Sequence, residues 1–157
     1  MAKRSVRDIE KIWSNVEGIK KLSDRAVGFG PFGVGLDGLL TWIPVVGTVY
    51  SVSTAGWLLL QASRARASPG TMFRMIGYLG FDSATTVVGE AIPFGPDLID
   101  FFFRGHLMAA NALQKDIETT HWVEASGADA RASGDHERHL AAMRADPQKR
   151  RIVYLYD

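Results

Sequence analysis

The sequence has no cysteine among its 157 residues. This absence excludes disulfide bonds, thiol catalysis and zinc sites built on cysteine, without fixing the compartment. Lys and Arg number 18 against 17 Asp and Glu, which leaves a net charge of only +1. The chain therefore lacks the overall positive charge that is typical of nucleic-acid-binding proteins, and we expect no nucleic-acid partner.

The N-terminal residues lack the pattern of a signal peptide. Basic residues open the segment MAKRSVRDIEKIW, but no apolar run of signal-peptide length follows them. We therefore expect any membrane insertion to rely on an internal segment.

Charge is scarce in the middle of the chain. Residues 28–113 hold four basic and five acidic residues, and the 26 residues from Gly38 to Ser63 hold none. A helix of about 20 apolar residues is long enough to cross a bilayer. Because Pro44 and Gly47 interrupt this run, the sequence predicts a helical hairpin instead of one straight helix.

Residues 1–27 are predicted to form an amphipathic helix. Ser5 and Asp8 have the spacing of a capping box at its start. Apolar residues then recur at intervals of three and four along one helical face: Ile9, Ile12, Trp13, Val16, Ile19 and Leu22. Seven basic residues against four acidic ones leave two interpretations open: a helix packed on the body, or one lying against anionic lipid headgroups.

Residues 28–118 are predicted to form two helical hairpins. In the first, a short helix over 36–43 is followed by a turn from Pro44 to Gly47 and a longer helix over 48–66. The second pairs helices over 71–90 and 97–118 and is broken at Pro93–Pro96. Small residues at intervals of three and four favour close helix packing in each hairpin: Gly47, Ser51 and Ala55 in the first, Gly77, Gly80 and Ala84 in the second.

The two hairpins share sequence signatures. Gly35-Leu36-Asp37 matches Gly80-Phe81-Asp82, and Ile43-Pro44 matches Ile92-Pro93. With the segment Ile-Pro-Val-Val-Gly, these signatures resemble those of the microbial domain-of-unknown-function 4112 family over about residues 35–113. The resemblance implies membrane association and no established activity. The chain departs from the family pattern at Thr48, where an Asp is expected, and at Pro96, where a Gly is expected.

Five carboxylates lie in the charge-poor region, and Arg104 is spaced to pair with one of them, Asp100. The five are Asp37, Asp82, Glu90, Asp97 and Asp100. They are interpreted either as structural groups at helix ends or as parts of an ion or proton path. We favour the structural role, because each lies near a predicted helix end or opposite the arginine.

Other motifs give weak signals for chemistry. Gly28, Gly30 and Gly33 have the spacing of a dinucleotide-binding loop. However, Pro31 lies within this loop, and no strand precedes it. His136 and His139 lie three apart without an evident third metal ligand. We therefore predict no enzyme activity, no cofactor and no metal site.

Residues 119–157 are predicted to be a polar, partly flexible tail. The small and polar residues 127–134 are typical of a linker, and a short helix is expected over 135–145. The final residues, 152–157, are expected either to add a strand to a partner or to be disordered.

These features predict an all-α protein. Its apolar hairpins either enter a membrane, with both chain ends on the cytoplasmic side of the inner membrane, or pack as a soluble bundle. We favour the membrane, with the lipid bilayer, other membrane subunits or a second copy as partners. The expected function is an accessory or scaffold subunit of a membrane assembly. A small transporter or channel component and a soluble interaction protein are the alternatives.

Overall fold

The computed structural model describes the backbone of residues 4–27, 44–89 and 97–156, and the side chains of residues 4–21, 52–80 and 105–156. Six helices and one two-stranded sheet lie in these ranges. The predicted all-α class is therefore confirmed, with a small sheet that the sequence pattern did not predict.

Helix α1 comprises Val6–Val27. Its start is the predicted capping box: the Ser5 backbone N–H donates to Asp8 Oδ2 at 2.9 Å, and the Asp8 N–H donates to Ser5 Oγ at 3.3 Å. Ile9, Ile12 and Val16 are buried on the predicted apolar face. This face packs on the body of the protein, as the first of the two interpretations expected.

Helices α2 (Pro44–Arg64) and α3 (Pro69–Gly89) follow each other across a four-residue connection. The turn predicted at Pro44–Gly47 is wrong, since α2 begins at Pro44. Proline is accommodated at the first position of a helix because no intrahelical bond requires its missing N–H. The predicted helix over 36–43 and the predicted break at Pro93–Pro96 lie outside the described residues.

Helix α2 ends through a left-handed residue that is not a glycine. Arg66 has φ +48°, and the Ala67 N–H donates to the carbonyl of Ala62 at 2.9 Å. This bond closes the last turn of the helix in the manner of a Schellman motif. The Arg66 side chain donates to the carbonyl of Tyr154 at 2.6 Å, which helps to hold the unusual conformation.

Helix α4 comprises Asp97–Glu118, as predicted. It packs against α1, α2 and α3, and its buried residues Ala109, Ala110, Leu113 and Ile117 lie in the main core. Most other buried members come from the first three helices: Ile9, Ile12 and Val16 from α1, Leu58 and Ala62 from α2, and Met75 and Leu79 from α3. Ala65, after α2, and Leu155, near the end of the chain, complete the cluster. Asn111, Lys115 and Glu118 are exposed and form a polar stripe along this helix.

The C-terminal residues form a β-α-α-β unit. Strand β1 (Thr120–Val123) pairs in parallel with β2 (Arg151–Tyr154), so that Thr120 lies opposite Arg151 and Val123 opposite Tyr154. Helices α5 (Gly127–Ser133) and α6 (Asp135–Ala145) make the crossover between the strands. The helix predicted over 135–145 is confirmed.

Two predictions for this unit are wrong. The expected linker over 127–134 contains α5, because Ser126 Oγ caps the helix by accepting from the Asp129 N–H at 3.4 Å. The expected disorder of the chain end is also wrong: β2 pairs with β1 of the same chain, and Leu155 is buried in the main core.

No helix within the described ranges combines the length and the apolar composition that are required to cross a membrane.

Candidate functional site

A buried polar cluster surrounds Asp116 in the last turn of α4. Asp116 is 9% exposed, and its carboxylate accepts from the Ser68 N–H at 3.0 Å, from Ser68 Oγ at 2.8 Å and from Thr71 Oγ1 at 3.1 Å. These bonds fix the start of α3 against the end of α4. A buried carboxylate needs such donors, because burial without them is costly.

Arg151 completes the cluster from β2. It donates to Asp116 Oδ2 at 2.6 Å, to Thr120 Oγ1 at 2.8 Å and to the carbonyl of Arg66 at 3.0 Å. Burial lowers the pKa of the Arg151 guanidinium, and the carboxylate of Asp116 opposes that effect. Because each of these groups has partners inside the protein, we interpret the cluster as a structural clamp.

Three histidines and a tyrosine gather where α6 lies against the strands. His136 Nδ1 and the Tyr154 hydroxyl are 2.8 Å apart, and the ring centroids of His121 and His139 are 6.1 Å apart. Burial lowers the pKa of His121, with smaller contributions from His139 and Lys149. In the part of the chain that the structure describes, no three His, Cys, Asp or Glu residues are grouped to hold a metal ion.

A polar groove separates α1 from the exposed stripe of α4. Its groups bind one another: Gln114 Nε2 donates to Glu17 Oε2 at 3.0 Å, and Lys20 Nζ donates to Gln114 Oε1 at 2.8 Å. The hydrogen bond from Gln114 lowers the pKa of Glu17. Because these contacts join α1 to α4, we interpret this groove as part of the packing between the two helices.

The family model for a domain of unknown function, DUF4112, matches residues 12–117, which is more than half of the chain. The chain belongs to the DUF4112 family. The match confirms the resemblance and extends it beyond residues 35–113, to the core of α1 and the end of α4. No curated protein and no solved structure matches the chain.

The DUF4112 match ends just before β1, so the β-α-α-β unit lies outside it. The two parts are nevertheless joined by side chains, since Asp116 lies inside the matched region and Arg151 lies outside it. Glu124 Oε1 also accepts from the Val6 N–H at 2.6 Å, which ties the unit to the start of α1.

The candidate acids of this DUF4112 protein are not brought together by any described contact. Asp82, Asp97 and Asp100 lie on the described helices α3 and α4, but their side chains and that of Arg104 lie outside the described ones. Asp37 and Glu90 lie outside the described backbone. The assignment of all five acids as helix-end groups or as parts of an ion path stays a prediction. The pairing of Asp100 with Arg104 also stays a prediction.

The predicted stripes of small residues are described only in part. Ala55 packs against the main core. Gly77 and Gly80 are exposed, and a Cβ added at either would meet nothing within 4 Å. Within one chain, these two glycines are therefore not at a close helix contact. The described part of the structure does not include the side chains of Ser51 and Ala84 or the surroundings of Gly47.

Large apolar side chains occupy the outer faces of α2 and α3. Phe73 is 74% exposed and Ile76 50% exposed on α3, next to Gly77 and Gly80. On α2, Val52 and Leu60 are exposed and lie eight residues apart, on the face that also carries Gly56. Exposed apolar side chains that cluster on one helix face are typical of interaction sites. This outer face of α3 is the candidate functional site.

Sequence reasoning missed both the outer face and the clamp. The clamp had a signal: Asp116 lies three residues after Leu113 and seven after Ala109, on the apolar side of α4. An acid at that position needs a buried partner. The sequence pattern did not identify Arg151 as this partner, because it lies 35 residues away in the tail.

Proposed function

We propose that this DUF4112 protein is a non-catalytic accessory or scaffold subunit of a membrane assembly. It would contact the cytoplasmic face of the inner membrane through the outer face of α3. The buried clamp and the helical core supply a rigid support for that face. Because no described helix is suited to cross the bilayer, the contact we propose is at the membrane surface.

The exposure of Phe73 is the observation that carries this proposal. Its side chain is 74% exposed although buried core residues, including Met75 and Leu79, lie on the opposite side of the same helix. Ile76 extends the apolar face by one turn. When lipid or a partner removes apolar surface of this kind from water, the gain in free energy is about 25 cal/mol per Å².

A transporter or channel component remains a separate prediction that depends on the acids of the charge-poor region. The described contacts include none of those acids, so no specific observation favours it. A soluble interaction protein would use the same outer face without a membrane, and the experiment below distinguishes it.

Membrane fractionation of cells that express the full chain tests the proposal. We expect the protein to sediment with membranes at low salt. The double variant Phe73→Ser/Ile76→Ser should move largely to the supernatant, because it removes the apolar anchors. The matched variant Phe73→Trp keeps a large aromatic side chain suited to the interface and should remain with the membranes.

Two results would contradict the proposal. The first is a wild-type protein that stays in the supernatant at every salt concentration. The second is a serine double variant that is folded by circular dichroism and sediments with membranes as well as the wild type does. Membrane sedimentation that is lost in cells lacking one membrane protein would identify the assembly.

A further inference from the structure

We propose that the end of the α2–α3 pair nearest its connecting turn binds the headgroups of anionic phospholipids. Arg4, Arg64 and Arg74 would contact the headgroups while Phe73 enters the layer beneath them. This inference rests on the proposed membrane contact and adds the lipid class that is recognised.

The segment that contains the α2–α3 connection carries only positive charge. From Gly38 to Phe81 the sequence contains no Asp or Glu, and its charged residues are Arg64, Arg66 and Arg74. Arg64 and Arg74 are exposed, and within the described side chains neither forms an ion pair. Exposed cations that are not engaged in an ion pair are free to attract an anionic surface.

The fold adds a third cation from a distant part of the sequence. Arg4 Nη1 donates to the carbonyl of Arg64 at 2.7 Å, so the start of α1 lies at the end of α2. Arg74 is five residues into α3, about 8 Å along the helix axis from its first residue. The three guanidinium groups thus belong to the same end of the molecule.

One cationic side chain lies beside exposed apolar side chains on α3 at this end. Phe73 and Arg74 are adjacent and both exposed, and Ile76 lies one turn further along the helix. The exposed Gly77 and Gly80 continue this face without side chains that would hold it away from a flat surface.

A bilayer surface matches this combination better than a nucleic acid or an acidic protein does. It presents phosphate charge directly above hydrocarbon, so that arginine and phenylalanine side chains are satisfied at neighbouring depths. A nucleic acid would leave Ile76 and Leu60 in water, and the net charge of +1 gives little general attraction to it.

Sedimentation with lipid vesicles tests the lipid class. The purified full chain is mixed with vesicles of phosphatidylcholine alone and with vesicles in which part of the lipid is phosphatidylglycerol. We expect binding to the anionic vesicles to be tighter and to weaken as salt is added. Arg64→Gln/Arg74→Gln should weaken it by about 25-fold, since each cation near the surface contributes about fivefold. Arg131→Gln/Arg144→Gln removes the same charge from exposed positions in the C-terminal unit and should bind as the wild type does.

Equal binding to neutral and anionic vesicles would overturn this inference and leave the proposed membrane contact standing. Equal weakening by the two arginine double variants would also overturn it, because net charge and not position would then govern binding. Absence of binding to both vesicles would overturn the inference, and the fractionation experiment would then decide the proposed function independently. The salt dependence of the wild type needs no variant to fold, and binding that salt does not weaken would contradict the inference.

Discussion

Arg151 in β2 donates a 2.6 Å hydrogen bond to Asp116 in the last turn of α4, and the same carboxylate receives two bonds from Ser68 at the start of α3. Asp116 is therefore the point at which two helices and the C-terminal strand meet. The side chains of the ion pair are 26% and 9% exposed, so water screens their attraction only in part.

Replacement of Arg151 by Met should lower the free energy of unfolding by about 2–3 kcal/mol, because it leaves a buried carboxylate without its cation. Chemical denaturation followed by circular dichroism measures this loss. Arg138→Met is the matched control, since Arg138 pairs with Asp135 at a similar distance of 2.7 Å but with side chains 73% and 45% exposed. The control substitution should lower the free energy of unfolding by less than about 1 kcal/mol. Equal losses in the two variants would show that Asp116 does not depend on its partner.

Replacement of a glycine by alanine should change the stability of the protein in opposite directions at two positions. Gly134 joins α5 to α6 at φ +81°, where a side chain is strained, so Gly134→Ala should destabilise the protein by about 1–2 kcal/mol. Gly18 lies inside α1, and a Cβ there meets nothing within 4 Å. Gly18→Ala should stabilise by about 0.5–1 kcal/mol. Thermal unfolding of both variants checks the pair, and a change of the same sign in both would contradict this account.

Acidification should weaken the packing around His121. Its pKa in the folded protein lies below the ordinary value of 6.5, chiefly because of burial. The unfolded chain therefore binds the proton more readily. The stability that depends on neutral His121 is complete above pH 6.5 and is lost as the pH falls from there through the lowered pKa.

NMR titration of the imidazole measures this pKa directly. His139→Gln should raise the pKa of His121, because it removes a neighbouring positive charge. Asp146→Asn should lower it further, because Asp146 acts in the opposite sense. A His121 pKa at or above 6.5 in the wild type would be incompatible with the described burial.

The first turn of α1 should depend on its cap. Ser5→Ala removes the hydroxyl that accepts from the Asp8 N–H and should cost about 1 kcal/mol. Ser14→Ala, at an exposed position inside the same helix, should cost nothing or stabilise slightly. Denaturation midpoints of the two variants give the comparison, and similar losses would indicate a cause other than capping.

The same cap predicts a loss of stability in acid. Hydrogen bonds from Ser5 lower the pKa of Asp8 below 3.8 in the folded protein. The stability contributed by ionised Asp8 is therefore present above pH 3.8 and lost as the pH falls through the lowered value. NMR titration of the Asp8 carboxyl provides the measurement, and an Asp8→Asn variant should lack this part of the acid dependence.

Local patterns in the sequence predicted most of the helices but not the sheet. The apolar spacing of Ile9, Ile12 and Val16 defined α1, and the Ser5–Asp8 cap marked its start, because both signals lie within a few residues. The strands β1 and β2 are four residues each and pair across about 30 residues of polar sequence. Nothing in either short strand specifies the other, so their pairing was not predictable from local pattern.

The candidate site on α3 was likewise predictable from the sequence only in part. The charge-poor segment predicted apolar helices, but the outward direction of Phe73 depends on which side of α3 meets the core. That side is chosen by contacts of Met75 and Leu79 with other helices. Periodicity alone gave weak guidance here, because apolar residues lie on both sides of the helix.

The position of Arg151 outside the residues that match the DUF4112 family model has a practical consequence. A fragment cut at residues 12 and 117 would keep every residue that matches the family model, yet it would begin inside α1 and would lack the cation that pairs with Asp116. Such a fragment should be recovered poorly or as aggregates. For this protein, we expect the unit that folds on its own to extend beyond the residues that match the family model at both ends.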